Sequence, residues 1–181
     1  MSSFTNFNIS GNQINLVLPK EKYAPKLFKV INADRKELAL WLPWVNKTKN
    51  VNDERLALKN FKGENVDHKA LTLIIVSQSN PIGMVDLHNI DVTNKTGEIG
   101  YWLYSKYQGK GIITRALKLL AQKAFYDLNL HKILAFIVTK NHKSRAICQR
   151  LNFFQEAVLK EQFYRNGKFL DVDVYSLFSN K

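Results

Sequence analysis

At 181 residues and 45% hydrophobic, the chain is long and apolar enough for one domain with a full core. No apolar run approaches the roughly 18 residues of a membrane span, Met1 to Gln13 lacks the basic-then-apolar pattern of a secretory leader, and the lone Cys148 excludes an internal disulfide, so a cytoplasmic protein is expected. The net charge of +12 favours polyanionic partners (nucleic acid, a phosphate-rich cofactor or an acidic protein), although scattered charges also describe a solvated, Lys-rich surface.

Ile14 to Leu18 reads as a first strand. Pro19 to Leu42 reads as helical, with Ala24, Leu27, Phe28 and Ile31 at helical spacing and a break near Asn32-Ala33-Asp34. Trp41-Leu42-Pro43-Trp44 ends it, and Asp53 is placed to cap a helix running to Phe61. Ala70 to Ser77 and Ile82 to Asn89 read as strands joined by a turn at Ser79-Asn80-Pro81. A second turn, Asn94 to Gly97, leads into a strand from Glu98 to Tyr104. Ile112 to about Leu128 carries the apolar stripe Ala116, Leu117, Leu120, Ala124, Phe125, Leu128 of an amphipathic helix. Lys132 to Thr139 is apolar on both faces, as a central strand requires. Asn141 opens a short helix, His142 to Leu151, and Asn152 follows where a left-handed C-cap is expected. Two last strands flank Asn166-Gly167, a strong hairpin signal. The order predicts an α/β fold with a mixed sheet.

Tyr107 to Thr114 is the segment richest in chemistry. A Gly-rich turn from strand into helix lines up backbone N–H groups, and the helix dipole adds to the pull on an anion. Gly109 and Gly111 let a phosphate approach the main chain closely. The spacing lacks the third Gly of a dinucleotide fingerprint and the Gly-Lys-Ser/Thr of an ATP loop. A plain tight loop into a helix also fits Gly-Lys-Gly, so its neighbours must decide. His68, His88, His131 and His142 show no metal-ligand spacing, and no metal is predicted.

Those neighbours resemble the GNAT acetyltransferase superfamily, which transfers acetyl from acetyl-CoA to an amine. Gln108-x-x-Gly111 resembles its pyrophosphate loop, with Ile113 where Gly or Ala is usual. Asn141-x-x-Ser144, ending in Leu151-Asn152-Phe153, resembles its second cofactor motif, with Asn152 replacing the usual Gly. Glu98-Ile99-Gly100-Tyr101 resembles the strand segment that carries the catalytic glutamate in many members. Leu42-Pro43-Trp44, Leu87-His88-Asn89, and Asn166-Gly167 followed by Asp171-x-x-x-Tyr175 are similar to the Rim branch, the ribosomal-protein N-terminal acetyltransferases and their relatives.

The resemblance implies a single GNAT domain over residues 1–181, a mixed central β-sheet flanked by helices, and acetyl-CoA as cosubstrate. It places the cofactor against Trp102, Leu103 and Tyr104, whose backbone would hold the thioester carbonyl, and against Gln108, Gly109, Lys110, Gly111, Ile112, Ile113 and Thr114. Asn141 would bond the pantetheine arm, and Lys110 and Arg115 would screen phosphates or face solvent.

Acetyl transfer needs an amine that has lost its proton, a stabilised carbonyl oxygen and a proton for the leaving thiolate. Glu98 is the candidate base, acting directly or with a water chain in its place as the resemblance implies for many members, its alternative being a strand-edge carboxylate paired with a lysine. His88 is the second candidate and otherwise lines the acceptor pocket; Glu161 is the third. Many family members donate the proton from a Tyr seven residues after the motif Asn, and here Cys148 stands there. The branch points instead to Ser144, which also fits a helix-start role. Cys148 reads as a small core residue.

The expected acceptor is a protein or peptide N-terminal α-amine, that of a ribosomal protein included, with residues around Trp41 to Trp44, Trp44 foremost, and the hairpin from Arg165 to Asp171 as candidates for its groove; ordinary packing is their alternative, and for Trp41 it is the better reading. A small amine such as a polyamine or aminoglycoside is the alternative acceptor. A non-catalytic basic ribosome- or nucleic-acid-binding module is the alternative class, disfavoured because no aromatic-basic interleave or recognition-helix pattern stands out. A homodimer is compatible with the sequence, and no membrane partner is expected.

Overall fold

The computed structural model describes residues 4–9, 11–165 and 167–180. Among these residues, eight strands form one sheet: β1 (Thr5–Ile9), β2 (Asn12–Val17), β3 (Leu71–Ser77), β4 (Asn80–Asp91), β5 (Thr96–Leu103), β6 (Lys132–Val138), β7 (Phe154–Arg165) and β8 (Lys168–Phe178). Their spatial order is β1-β2-β3-β4-β5-β6-β8-β7. Every neighbouring pair is antiparallel except β5 and β6, which run parallel and need a helical crossover between them.

Among the described residues, five α-helices cover the two faces: α1 (Ala24–Ala33), α2 (Arg35–Ala39), α3 (Val51–Val66), α4 (Ile112–Tyr126) and α5 (His142–Arg150). Alternation along the strands sends Leu73, Ile75, Val85, Leu87, Ile99 and Leu103 to the α4 and α5 side, where Ala116, Leu117, Leu120, Ala124 and Cys148 meet them. Ile74, Val76, Met84 and Trp102 point the other way and pack with Leu27, Ile31, Leu38 and Leu58 of α1, α2 and α3. The sheet is thus covered on both sides along its middle, as a parallel pair requires.

The predicted break in the first helical segment is real: at Asp34 φ is −115°, separating α1 from α2. The cap of α3 differs from expectation. Asn50 is the cap residue, accepting from Asn52 and Asp53 N–H, while Asp53 completes a capping box from the third position. That helix continues past Phe61 to Val66. β1 was not anticipated, because of its residues only Phe7 is buried and the alternation has little apolar content to reveal it. Asn152 adopts the expected left-handed conformation with φ 58°. Arg165 pairs with Lys168, so β7 and β8 are joined by a two-residue turn; Gly167 is left-handed there and Asn166 lies outside the described residues. Among the described residues, no helix is long and apolar enough to cross a membrane.

Glu54 in α3 is only 3% exposed, and burial pushes its carboxyl up to about 7. The folded chain therefore keeps a proton that the unfolded chain loses. Its contribution is fully present below the ordinary carboxylate range and is lost as pH rises through about 7. Glu54→Gln should gain on the order of 2 kcal/mol near pH 8 and little near pH 4.5. Urea denaturation at both pH values checks this, and an equal gain at both would contradict it.

Candidate active site

The parallel pairing of β5 and β6 is short. It runs through Thr96↔Lys132, Gly97↔Ile133 and Glu98↔Leu134 and then stops. Beyond it β5 stays with β4 as far as Leu103↔Gly83, and β6 stays with β8 as far as Val138↔Val172. The strands part like a fork, and a cleft of about 1520 Å³ opens between and above them. Glu98 sits at the last paired position, at the base of the fork.

One wall is β5 and the turn into α4. Tyr104 N–H donates to the Ile82 carbonyl (2.8 Å) on the β4 side. Successive residues of a strand alternate sides, so Leu103 presents its N–H and C=O toward the fork. Gln108 Nε2 donates to that Leu103 carbonyl (3.1 Å). Among the three backbone positions expected to hold a thioester oxygen, Leu103 therefore has the suitable orientation, and Tyr104, whose N–H is engaged elsewhere, does not.

Gly109 and Gly111 are both left-handed, with φ of 76° and 77°, which L side chains rarely adopt. A Cβ at either would meet nothing within 4 Å. The conformation, rather than crowding, demands glycine here, and the space beside it stays open for a ligand. Gly111 is the N-cap of α4 and has no side-chain cap, so the orphan N–H groups of the first turn fall to another partner. Gln108, Gly109, Gly111, Ile112, Ile113 and Thr114 all line the cleft. Lys110 does not; its ammonium lies over the Tyr107 ring, 5.4 Å from the centroid. Arg115 lines the cleft, as do Lys118 and Lys143, two cations that sequence reading missed. Lys143 Nζ reaches Gln108 Oε1 (3.1 Å), joining α5 to the loop. Scattered single lysines carry no periodic signal, and only the fold gathers these.

The other wall is β6 and α5. Asn141 Oδ1 accepts from Ser144 N–H (3.2 Å) and caps α5. Arg145 fixes the helix from behind, with Nε 2.9 Å from the buried Asp173 carboxylate and Nη1 3.3 Å from the Thr139 carbonyl. Asn141 and Ser144 face the cleft. Tyr101, also unanticipated, crosses the fork from β5, its hydroxyl donating to the Ser144 carbonyl (3.4 Å). Burial holds that phenol well above its ordinary range, so it stays protonated.

On the α1 and α2 side, Leu38, Trp41 and Leu42 face Phe163 and Arg165 of β7 across the cleft, with His88 and Glu98 below. Arg165 Nη1 donates to the Trp41 carbonyl and ties the two rims together. Two substrate-side expectations need correction. Trp44 does not reach the cleft; its ring packs on Trp102 at 5.9 Å in the second core. Trp41, expected to pack inside, lines the cleft instead. The Pro43–Asn46 helical turn rotates the pair, which a run of apolar residues does not reveal. Glu161 is exposed at an irregularity of β7, with φ 54°, its N–H bonded to Asp171 Oδ1 (2.9 Å).

His88 and Glu98 stand directly opposite each other on β4 and β5, with His88 Nε2 3.5 Å from Glu98 Oε2. His88 Nδ1 lies 2.5 Å from Asp86 Oδ2. The hydrogen bond with Asp86 raises the imidazole above its ordinary range, and the charges of Asp86, Glu98 and Glu64 add to it. Among the described residues, no group of three or more His, Cys, Asp or Glu could hold a metal ion.

Cys148 is 1% exposed, and burial pushes its thiol up to about 12. A thiol in that state is not a nucleophile. Ellman's reagent at about pH 8 should leave the folded chain unmodified and should titrate the thiol after denaturation. Rapid modification of the folded chain would contradict the burial.

Residues 13–153 match the acetyltransferase (GNAT) domain family. A Bacillus subtilis (strain 168) protein named "Putative ribosomal N-acetyltransferase YdaF" is 30% identical over 93% of this chain and 91% of its own length. The ribosomal-protein-serine acetyltransferase of Escherichia coli (strain K12) is 28% identical over 86% of this chain and 87% of its own. Among solved structures, the microcin C7 self-immunity acetyltransferase MccE, in complex with acetyl-CoA and AMP, superposes with a TM-score of 0.87 at 32% identity over 92% of each chain. Matched along most of its length by this family and by a near-full-length relative, the chain belongs to the GNAT acetyltransferases and is an acetyl-CoA-dependent N-acetyltransferase.

Proposed function

We propose that the acceptor is the α-amine of a protein or peptide N-terminus, a ribosomal protein being the favoured class, and that transfer is direct within a ternary complex. The observation that carries this reading is the acceptor side of the cleft. It is a groove walled by Trp41 and Leu42 on one rim and Phe163 and Arg165 on the other, with Glu98 and His88 at its floor. An extended N-terminal segment fits such a groove with its amine above Glu98. Two relatives spanning most of the chain carry ribosomal names, which supports the same class.

Acetyl-CoA supplies an activated acetyl group, and this chain's residues suit it. The first turn of α4, with Arg115, Lys118 and Lys143 nearby, is matched to a pyrophosphate. Leu103 N–H faces the position of a thioester oxygen, where it stabilises the charge that develops on attack. Asn141 holds the pantetheine arm. Glu98 takes the ammonium proton, and Ser144 supplies a proton to the departing thiolate. An α-amine has a pKa of about 7.7–8.0 against about 10.4 for lysine, so a modest base suffices for it.

The test presents free-N-terminus peptides, N-terminally blocked Lys peptides and polyamines to the enzyme, with the modified nitrogen located by mass spectrometry. Acetylation of the α-amine is expected, and transfer only to polyamines or blocked Lys peptides would overturn the reading. On the accepted substrate, Ser144→Ala should lower kcat by roughly ten-fold or more while leaving acetyl-CoA affinity intact. Unchanged turnover would remove Ser144 from the mechanism.

A further inference from the structure

We propose that Asp86, His88 and Glu98 form a proton relay that carries the acceptor's proton from the cleft to solvent, with Asp86 as the positioning residue. The relay rests on the reading of Glu98 as base given above. It extends that reading by two residues and a direction.

The geometry begins with strand alternation. Met84, Asp86 and His88 of β4 lie on one face of the sheet, opposite Trp102, Gly100 and Glu98 of β5. Asp86 stands across from Gly100, and a Cβ at position 100 would come within 2.6 Å of Asp86 Oδ1. The absent side chain at 100 makes the slot that the Asp86 carboxylate occupies. From that slot Oδ2 reaches His88 Nδ1 at 2.5 Å. A ring held this way carries its proton on Nδ1 and turns a lone pair at Nε2 toward Glu98 Oε2, 3.5 Å away. Past His88 the ladder breaks before Asp91, with Asn89 at φ 48°. The His88 side chain is 41% exposed against 28% for Glu98, so the ring is the member of the pair that meets more water.

The proton balance is simple. The ammonium of the acceptor loses a proton to the Glu98 carboxylate, freeing the nitrogen lone pair for attack. Glu98 returns to its ionised form by passing that proton to His88 Nε2. The imidazolium, stabilised by Asp86 at Nδ1, releases the Nε2 proton to water and returns to its neutral form with Nδ1 still protonated. Nothing is oxidised or reduced, and no further reactant is needed. Two carboxylates on either side of one imidazole favour its charged form, and Glu64 of α3 adds to the field. A charged ring cannot accept, so activity should fall on the acid side as His88 protonates.

The test compares Asp86→Asn, His88→Ala and Glu98→Gln, using a serine-terminated peptide and spermidine as the two acceptors so that the result does not depend on which is natural. His88→Ala should lose on the order of ten-fold or more in kcat, and added imidazole should restore part of it. Asp86→Asn should lower kcat and move the acid limb of the pH profile to lower pH, because the largest stabiliser of the imidazolium is gone. Acetyl-CoA affinity by calorimetry should stay unchanged in all three. NMR titration of the His88 ring, which needs no acceptor, should show its pKa falling in Asp86→Asn. A wild-type rate and acid limb in His88→Ala, with Glu98→Gln impaired, would overturn the relay alone. A wild-type rate in Glu98→Gln would overturn the base assignment as well.

Discussion

The site depends on one interruption of hydrogen bonding: β5 and β6 pair from Thr96 to Glu98 and then part. A sheet interior with unpaired strand edges carries exposed N–H and C=O groups at a cost, because buried backbone polar groups need partners. A polar ligand arm lying between the strands would supply those partners. The parting also explains why the fold tolerates a cleft of this size in the middle of a covered sheet. Each arm of the fork keeps its outer neighbour, β4 on one side and β8 on the other.

Four contacts hold the parted walls in place. Asp34, in the break between α1 and α2, accepts from both the N–H and the hydroxyl of Ser105 (2.8 Å each), fixing the turn that leads to the Gly loop. Gln108 binds the Leu103 carbonyl and receives Lys143, so loop, strand and α5 share one residue. Arg145 seats α5 on β8 through Asp173. Arg165 ties the β7 rim to the Trp41 segment. Most of these contacts join elements far apart in sequence, and each sets the position of a wall rather than the chemistry within it.

Much of the frame was legible in the sequence because its signals are local. The stripe from Ala116 to Leu128, the apolar run from Ile133 to Val138, the break near Asp34 and the left-handed Asn152 each follow from spacing or backbone conformation within a few residues. The Gly turn before α4 and the start of α5 at Asn141 were legible for the same reason, since a loop or cap is written in consecutive residues, whereas the site roles expected of Gln108, Gly111, Asn141 and Ser144 came from the family resemblance. What escaped depended on register. That His88 opposes Glu98, that Asp86 fills the slot left by Gly100, and that Tyr101 spans to Ser144 follow from pairing between strands, which no single segment states. Trp41 and Trp44 were exchanged in role because the irregular turn at Pro43–Asn46 sets which ring faces the cleft. β1 escaped because an edge strand buries too little to leave a periodic mark.

The positive charge of the chain finds partial use here: Arg115, Lys118 and Lys143 converge on the cleft from α4 and α5, where a phosphate-bearing ligand would gather them. Most of the other cations are scattered over the surface and suit a long-range, salt-dependent attraction for acidic partners. The most direct measurement is an amide-resolved NMR titration with acetyl-CoA. The fork assignment predicts the largest shifts at Leu103, at Gln108 to Thr114, and at Asn141 and Ser144, on both walls at once. Shifts confined to lysine-rich surface outside the cleft, with both walls of the fork silent, would contradict it.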